Sequence, residues 1–164
     1  MKDSLRILNS KEIKNITGLL EKQWGVKKKF DYAYLLSTRN NIYLASRDFD
    51  KIDDKKLRIE IIGVYFGELS ENNIRLSIEG SQMIGPLAEK NVVEVDKDQM
   101  KSWLKGNDLE NLDGLKDANA KSINEDCFVI LKCEDDFIGC GRYKRDDKKI
   151  LCYVPKNRRI MSRD

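Results

Sequence analysis

From Asn9 onward the apolar positions Ile13, Ile16, Leu19, Leu20 and Trp24 recur at the three- and four-residue spacing of one helix face. Glu12 stands three residues after Asn9, as a capping box requires, and Gly25 supplies a stop, so the pattern predicts an amphipathic helix over this stretch. Its apolar stripe is read as core packing, with Trp24 as an anchor. After the solvated triplet Lys27-Lys28-Lys29 come two strand-like runs, Tyr32 to Ser37 and Ile42 to Ser46, separated by Thr38-Arg39-Asn40-Asn41 as in a β-hairpin.

Polar residues from Asp48 to Lys56 break the pattern. Leu57 to Phe66 is apolar on both faces and reads as a buried strand punctuated by Gly67. Ile74, Leu76 and Ile78 alternate with Arg75, Ser77 and Glu79, the signature of a half-buried strand. Ser81 to Ala88, with Gly85-Pro86, reads as a short helix or turn, and Asn91 to Val95 as a new extended segment. Asp96 then caps a second helix, whose apolar positions Met100, Trp103 and Leu104 end before Gly106. Between Gly106 and Asp126 only short strands and turns are expected. Phe128 to Lys132, Phe137 to Lys144 and Lys149 to Val154 come next as three strands, a meander of the kind that closes small barrels. With no repeat, low-complexity tract or flexible linker, the best boundary is an abrupt one near Lys90, giving domains 1–90 and 91–164.

The 164 residues are 40% hydrophobic and 36% charged, enough apolar material for a core under an unusually charged surface. No run approaches the roughly 18 apolar residues of a membrane span, and Met1 to Arg6 does not open like a signal peptide, so a cytoplasmic protein is expected. Charge distribution says more than the net +3. From Glu94 to Asp136 there are 6 basic and 12 acidic residues, and from Arg142 to Arg163 there are 9 basic and 2 acidic. Arg142, Lys144 and the block Lys156-Asn157-Arg158-Arg159 therefore offer charge suited to phosphate oxygens, the alternative being a basic segment that simply stays solvated. If the strand geometry before Pro155 persists, Lys156 and Arg158 share one face and Arg159 takes the other.

Histidine is absent, which removes the commonest general base and metal ligand. The spacings of Cys127, Cys133, Cys140 and Cys152 do not form a zinc knuckle; in an alternating apolar run these thiols read as small buried hydrophobes. Neither a dinucleotide-binding nor a P-loop glycine motif is present, and Gly139-Cys140-Gly141 reads as a bulge or a close backbone approach. The pairs Asp53-Asp54, Asp135-Asp136 and Asp146-Asp147 fall in predicted turns with no apolar pocket to raise a pKa. No catalytic residue, cofactor or metal is expected.

The order Asn91 to Val95, Asp96 to Leu104, Gly106-Asn107-Asp108-Leu109 and Asp113-Gly114-Leu115 resembles the opening of a PUA domain, an RNA-binding module. Phe128 to Leu131 and Ile138-Gly139-Cys140-Gly141-Arg142 look like the paired strands of its barrel. Asn107 departs from the usual Ala and Asp113 from the commoner Pro. Upstream, Gly63 to Leu69, Ile74 to Ile78 and Ile84 to Ala88 are similar to the N-terminal domain of a two-domain PUA-containing factor of large-subunit ribosome biogenesis. Gly141 to Lys144 and Tyr153 to Ile160 resemble the PUA-like tail of the Nop/Sun RNA cytosine-5 methyltransferases, whose Rossmann core and Pro-Cys dipeptide this sequence lacks.

The resemblance implies an α+β fold, with an N-terminal mixed α/β domain followed by a small C-terminal PUA-like β-barrel. It further implies a non-catalytic protein of ribosome biogenesis or rRNA or tRNA modification that binds structured RNA. Carried over by position, the RNA face comprises Lys101, Lys105, Gly106, Asn107, Lys156, Arg158 and Arg159, to which the basic segment adds Arg142 and Lys144. The competing expectation is an accessory or protein-interaction subunit for a methyltransferase or assembly factor, touching RNA only indirectly, and the acidic 94–136 stretch speaks for it.

Overall fold

The computed structural model describes residues 4–48, 63–113, 115, 117 and 121–161. Helix α1 (Ser10–Trp24) follows the short strand β1 (Leu5–Ile7) and begins where the capping box places it. Glu12 N donates to Asn9 Oδ1 and Asn9 N donates to the Glu12 carboxylate, each at 3.0 Å. Gly25 ends the helix at φ 72°. Ile16, Leu19, Leu20 and Trp24 are the buried face.

Strands β2 (Ala33–Ser37) and β3 (Asn41–Ala45) form the expected hairpin, and β4 (Val64–Leu69) and β5 (Ile74–Leu76) complete an antiparallel sheet in the order β1-β2-β3-β4-β5. The expected strand from Leu57 lies outside the described residues as far as position 62, as does the pair Asp53-Asp54. Strands β4 and β5 depart from the sequence pattern in two places. Strand β4 runs through Gly67, whose lack of a side chain lets Leu76 and Arg75 of β5 pass close by. The β5 alternation stops at Leu76, and Ile78 opens helix α2 (Ile78–Ile84) instead of continuing the strand. Ser77 is the reason: its hydroxyl accepts from Gly80 N at 2.9 Å and starts a helical turn, as capping serines do. A 3-10 turn at Gly85–Leu87 leads out of α2.

The second sheet has the order β6 (Val92–Glu94), β7 (Cys127–Cys133), β8 (Asp136–Lys144) and β9 (Lys149–Leu151). Strand β6 lies parallel to β7, with Val92 opposite Ile130, and helix α3 (Lys97–Leu104) leads out of β6 under a second capping box made by Asp96 and Gln99. The other pairs are antiparallel, and the described strands do not close into a barrel, so the fold is α+β built on two open sheets. Successive residues of β6 and β7 point to opposite faces. Val92 and Ile130 therefore join the core of α1 and the first sheet, together with Cys140. Val93, Val129 and Leu131 join a second core with Trp103, Ile138, Tyr143, Ile150 and Val154. The second sheet is thus buried on both sides, once against the N-terminal half and once against α3. Two bonds from α1 tie the junction: Glu89 N donates to Trp24 O at 2.8 Å and Asn91 Nδ2 to Gln23 O at 2.6 Å.

Candidate nucleic-acid interface

Helix α3 is fastened to the second sheet by Trp103, whose indole is wholly buried against Gly139 and Gly141. Gly139 has φ 150°, a conformation that favours glycine, and the β7/β8 register shifts beside it between Leu131 and Lys132. The glycines foreseen as a bulge or a close approach are both. With Trp103 turned inward, Lys101 and Lys105 stand four residues apart on an exposed face of α3.

Past α3 the chain turns at Gly106, φ 93°. An added Cβ there would meet Arg159 Cδ and Cζ at 2.6 Å, so the absence of a side chain leaves the seat that Arg159 occupies. From that seat Arg159 Nε donates to Val154 O at 3.0 Å, and Ile160 N donates to Leu104 O at 3.0 Å. These bonds lay the C-terminal segment across the end of α3. They bring Gly106 against Arg159 and Leu104 against Ile160, with Lys101, Lys105 and Asn107 exposed on the first segment and Lys156 and Arg158 exposed on the second.

The segment is not the strand end that the sequence suggested. Lys156–Arg158 is a 3-10 turn after Pro155, so the alternation that put Lys156 and Arg158 on one face and Arg159 on the other does not hold. Instead, Arg158 Nη1 donates to Glu79 Oε1 of α2 at 2.7 Å, and Arg159 is held by backbone. Among the described residues Lys101, Lys105 and Lys156 form no salt bridge. They are the cations of this face left open to a polyanion.

Arg142 and Lys144 lie elsewhere. Lys144 Nζ donates to Asp126 Oδ2 at 3.2 Å, and Arg145 N donates to the other oxygen at 2.9 Å. The amide and then the lysine hold the Asp126 carboxyl below its ordinary pKa. Arg142 stacks over Phe128, its cross-strand partner, and lines a groove with Arg75 and Tyr153. Arg75, Phe128 and Tyr153 were not singled out in the sequence. Their signal was weak: isolated arginine and aromatic residues at half-buried positions, from three separate elements.

The four thiols are unpaired, and among the described residues no group of three metal-ligating side chains is gathered. Burial pushes the Cys140 thiol up to about 12 and the Cys127 thiol up to about 11, so both stay protonated and poorly nucleophilic near neutrality. None of the described helices is long and apolar enough to cross a membrane.

Residues 90–160 match the family model of the methyltransferase RsmF PUA domain. Among solved structures, a conserved PUA domain protein from Thermoplasma acidophilum is similar at TM-score 0.59 and 16% identity, over 86% of this chain and 80% of that one. A hypothetical protein from the hyperthermophilic archaeon Pyrococcus horikoshii OT3 aligns at TM-score 0.59 and 12% identity, over 92% and 95% of the two chains. No curated protein matches the chain. The structural likeness bears on the fold, and the family match on the segment that carries α3, the Gly106 turn and the basic C-terminal turn. The C-terminal part of the chain, residues 90–160, is thus similar in sequence to a PUA domain, and the chain as a whole shares its fold with a PUA domain protein.

Proposed function

We propose that this protein binds structured RNA without catalysing a reaction on it, through the face formed by α3, the Gly106 turn and residues 156–159. The observation that carries the reading is the seating of Arg159 on Gly106, which lays the basic C-terminal turn against the end of α3, where Lys101 and Lys105 are exposed. Lysines without carboxylate partners are suited to phosphate oxygens, and a rigid surface of this kind reads backbone shape more than base sequence. The PUA module is a general RNA binder, and the match to a methyltransferase's PUA domain supports a setting in RNA modification. The sequence resemblance of Gly63 to Leu69, Ile74 to Ile78 and Ile84 to Ala88 to a ribosome-biogenesis factor makes rRNA the target to test first. The reading as non-catalytic rests on the sequence, which has no histidine.

Fluorescence anisotropy with a structured RNA at several salt concentrations tests the proposal. With three to five phosphates neutralised, log affinity should fall with log salt at a slope of about −2.5 to −4.5, and each of Lys101→Ala, Lys105→Ala and Lys156→Ala should flatten it by about 0.9. Affinity independent of salt would overturn the reading.

A second reading, an accessory subunit for an RNA methyltransferase or assembly factor, is favoured by one feature of the same region. Ile160 and Met161 are apolar and exposed, Met161 to 89%, where the segment leaves α3. Capture of partners from lysate with and without RNase separates the two: partners retained after RNase support the subunit, and partners lost support the RNA reader.

A further inference from the structure

A second groove opens where the two sheets meet. Arg75 from β5, Phe128 from β7, Arg142 from β8 and Tyr153 beyond β9 surround about 330 Å³, with Ser70 and Asn73 at the rim. The Arg75 guanidinium lies 4.4 Å from the Tyr153 ring centre and that of Arg142 lies 5.2 Å from Phe128; the two rings are 6.3 Å apart. Glu68 of β4 pairs with Arg75, whereas Arg142 forms no salt bridge among the described residues.

Half-buried rings beside a cation, in a groove this size, are the chemistry of a single-stranded nucleic acid, whose bases stack on aromatic faces while its phosphates meet guanidinium. The groove also shares residues with a cavity that reaches the basic turn. Arg75 and Tyr153 form part of the wall of a smaller cavity of about 130 Å³ that is also lined by Pro155 and Arg158 of the basic turn. Tyr153 and Arg158 therefore line one cavity between the groove and the basic turn.

We infer that the RNA track crosses the junction: an unpaired nucleotide flanking the structured element stacks against Tyr153 or Phe128 and sets a phosphate on Arg142. This rests on the RNA-binding reading above but uses different residues. A stem–loop RNA is compared by anisotropy with the same stem–loop carrying an oligouridine tail at its 5′ or its 3′ end. For the unaltered protein, one of the tails should tighten binding about tenfold, the scale of one base stacked on an aromatic ring. Arg142→Ala and Tyr153→Leu should each remove most of that gain and leave the affinity for the untailed stem–loop unchanged. Because Arg142 stacks within one sheet and does not bridge the two, its substitution should leave the thermal midpoint in place, which keeps the test independent of folding. If the stem–loop binds and neither tail adds affinity, or if the gain survives both substitutions, the extended track is wrong while the first face stands. If the stem–loop does not bind at all, both readings fall.

Discussion

The most exacting test of the packing that positions the α3 face is a pair of Gly→Ala substitutions, at Gly141 and at Gly18, chemically identical and opposite in expected sign. At Gly141 an added Cβ would stand 2.5 Å from Trp103 Cη2 and 2.8 Å from Leu151 O, and inside contact distance of Ile150 Cγ2. Carbon atoms rest at about 3.5 to 4.0 Å, so the overlap with the indole is about 1 Å. Trp103 is 0% exposed, walled in by Gly139, and cannot swing aside. Strand β9, at the sheet edge and three residues long, is what can give way, along with α3 itself. Overpacking of a filled core costs about 1 to 3 kcal/mol, and with a rigid indole on one side and backbone on the other the upper part of that range applies. Gly18 is exposed on α1 with nothing within 4 Å of its added methyl, so alanine there should stabilise by about 1 kcal/mol through helix propensity. Urea unfolding followed by tryptophan fluorescence reads both. At a slope of about 2 kcal/mol per molar, the Gly141→Ala midpoint should drop by about 1 M and the Gly18→Ala midpoint should rise by about 0.5 M. A Gly141→Ala midpoint within experimental error of the parent would show that Trp103 is not clamped, and the argument that it fixes α3 would fail. Because the overlap falls on α3, Gly141→Ala should also weaken RNA binding, whereas Gly18→Ala should leave it untouched.

Three further outcomes are expected of the same structure. Asn9→Ala removes one half of the α1 capping box and should cost about 1 kcal/mol in urea unfolding, with no change in RNA affinity. Stability should fall on the alkaline side: Cys140 and Cys127 hold their protons in the folded state up to about 12 and about 11, whereas the unfolded chain releases them near the ordinary thiol value of 9.0. The unfolded state therefore binds fewer protons above that point, and the urea midpoint should be flat at neutral pH and decline from pH 9 upward; a midpoint that rises over that window would contradict the burial of these thiols. Finally, elemental analysis after dialysis should find no stoichiometric zinc, and thiol titration under denaturing conditions should count four free cysteines.

Much of this architecture was legible in contiguous residues, and the reason is the range of the forces. A capping box, a left-handed glycine stop and an amphipathic stripe act within a few residues, so α1 and α3 begin and end where Asn9, Gly25 and Asp96 place them. The β2–β3 hairpin and the β7–β8–β9 meander are likewise neighbours in sequence, and β7's alternation already sorted Val129 and Leu131 from Phe128 and Ile130. Local pattern misled where a competing hydrogen bond decided. Ile78 continues the β5 alternation, yet the Ser77 hydroxyl starts a helix. Lys156 to Arg158 follow a strand, yet they turn to meet Glu79, 79 residues away. The parallel pairing of β6 with β7, the burial of the second sheet on both faces and the groove of Arg75, Phe128, Arg142 and Tyr153 have no local signal at all. The residue types that bind phosphate could be read from the basic C-terminal segment, but not which of its charges remain open. That depends on which carboxylates the fold carries within salt-bridge distance: Glu79 and Asp126 engage Arg158 and Lys144, while Lys101, Lys105 and Lys156 are left facing outward.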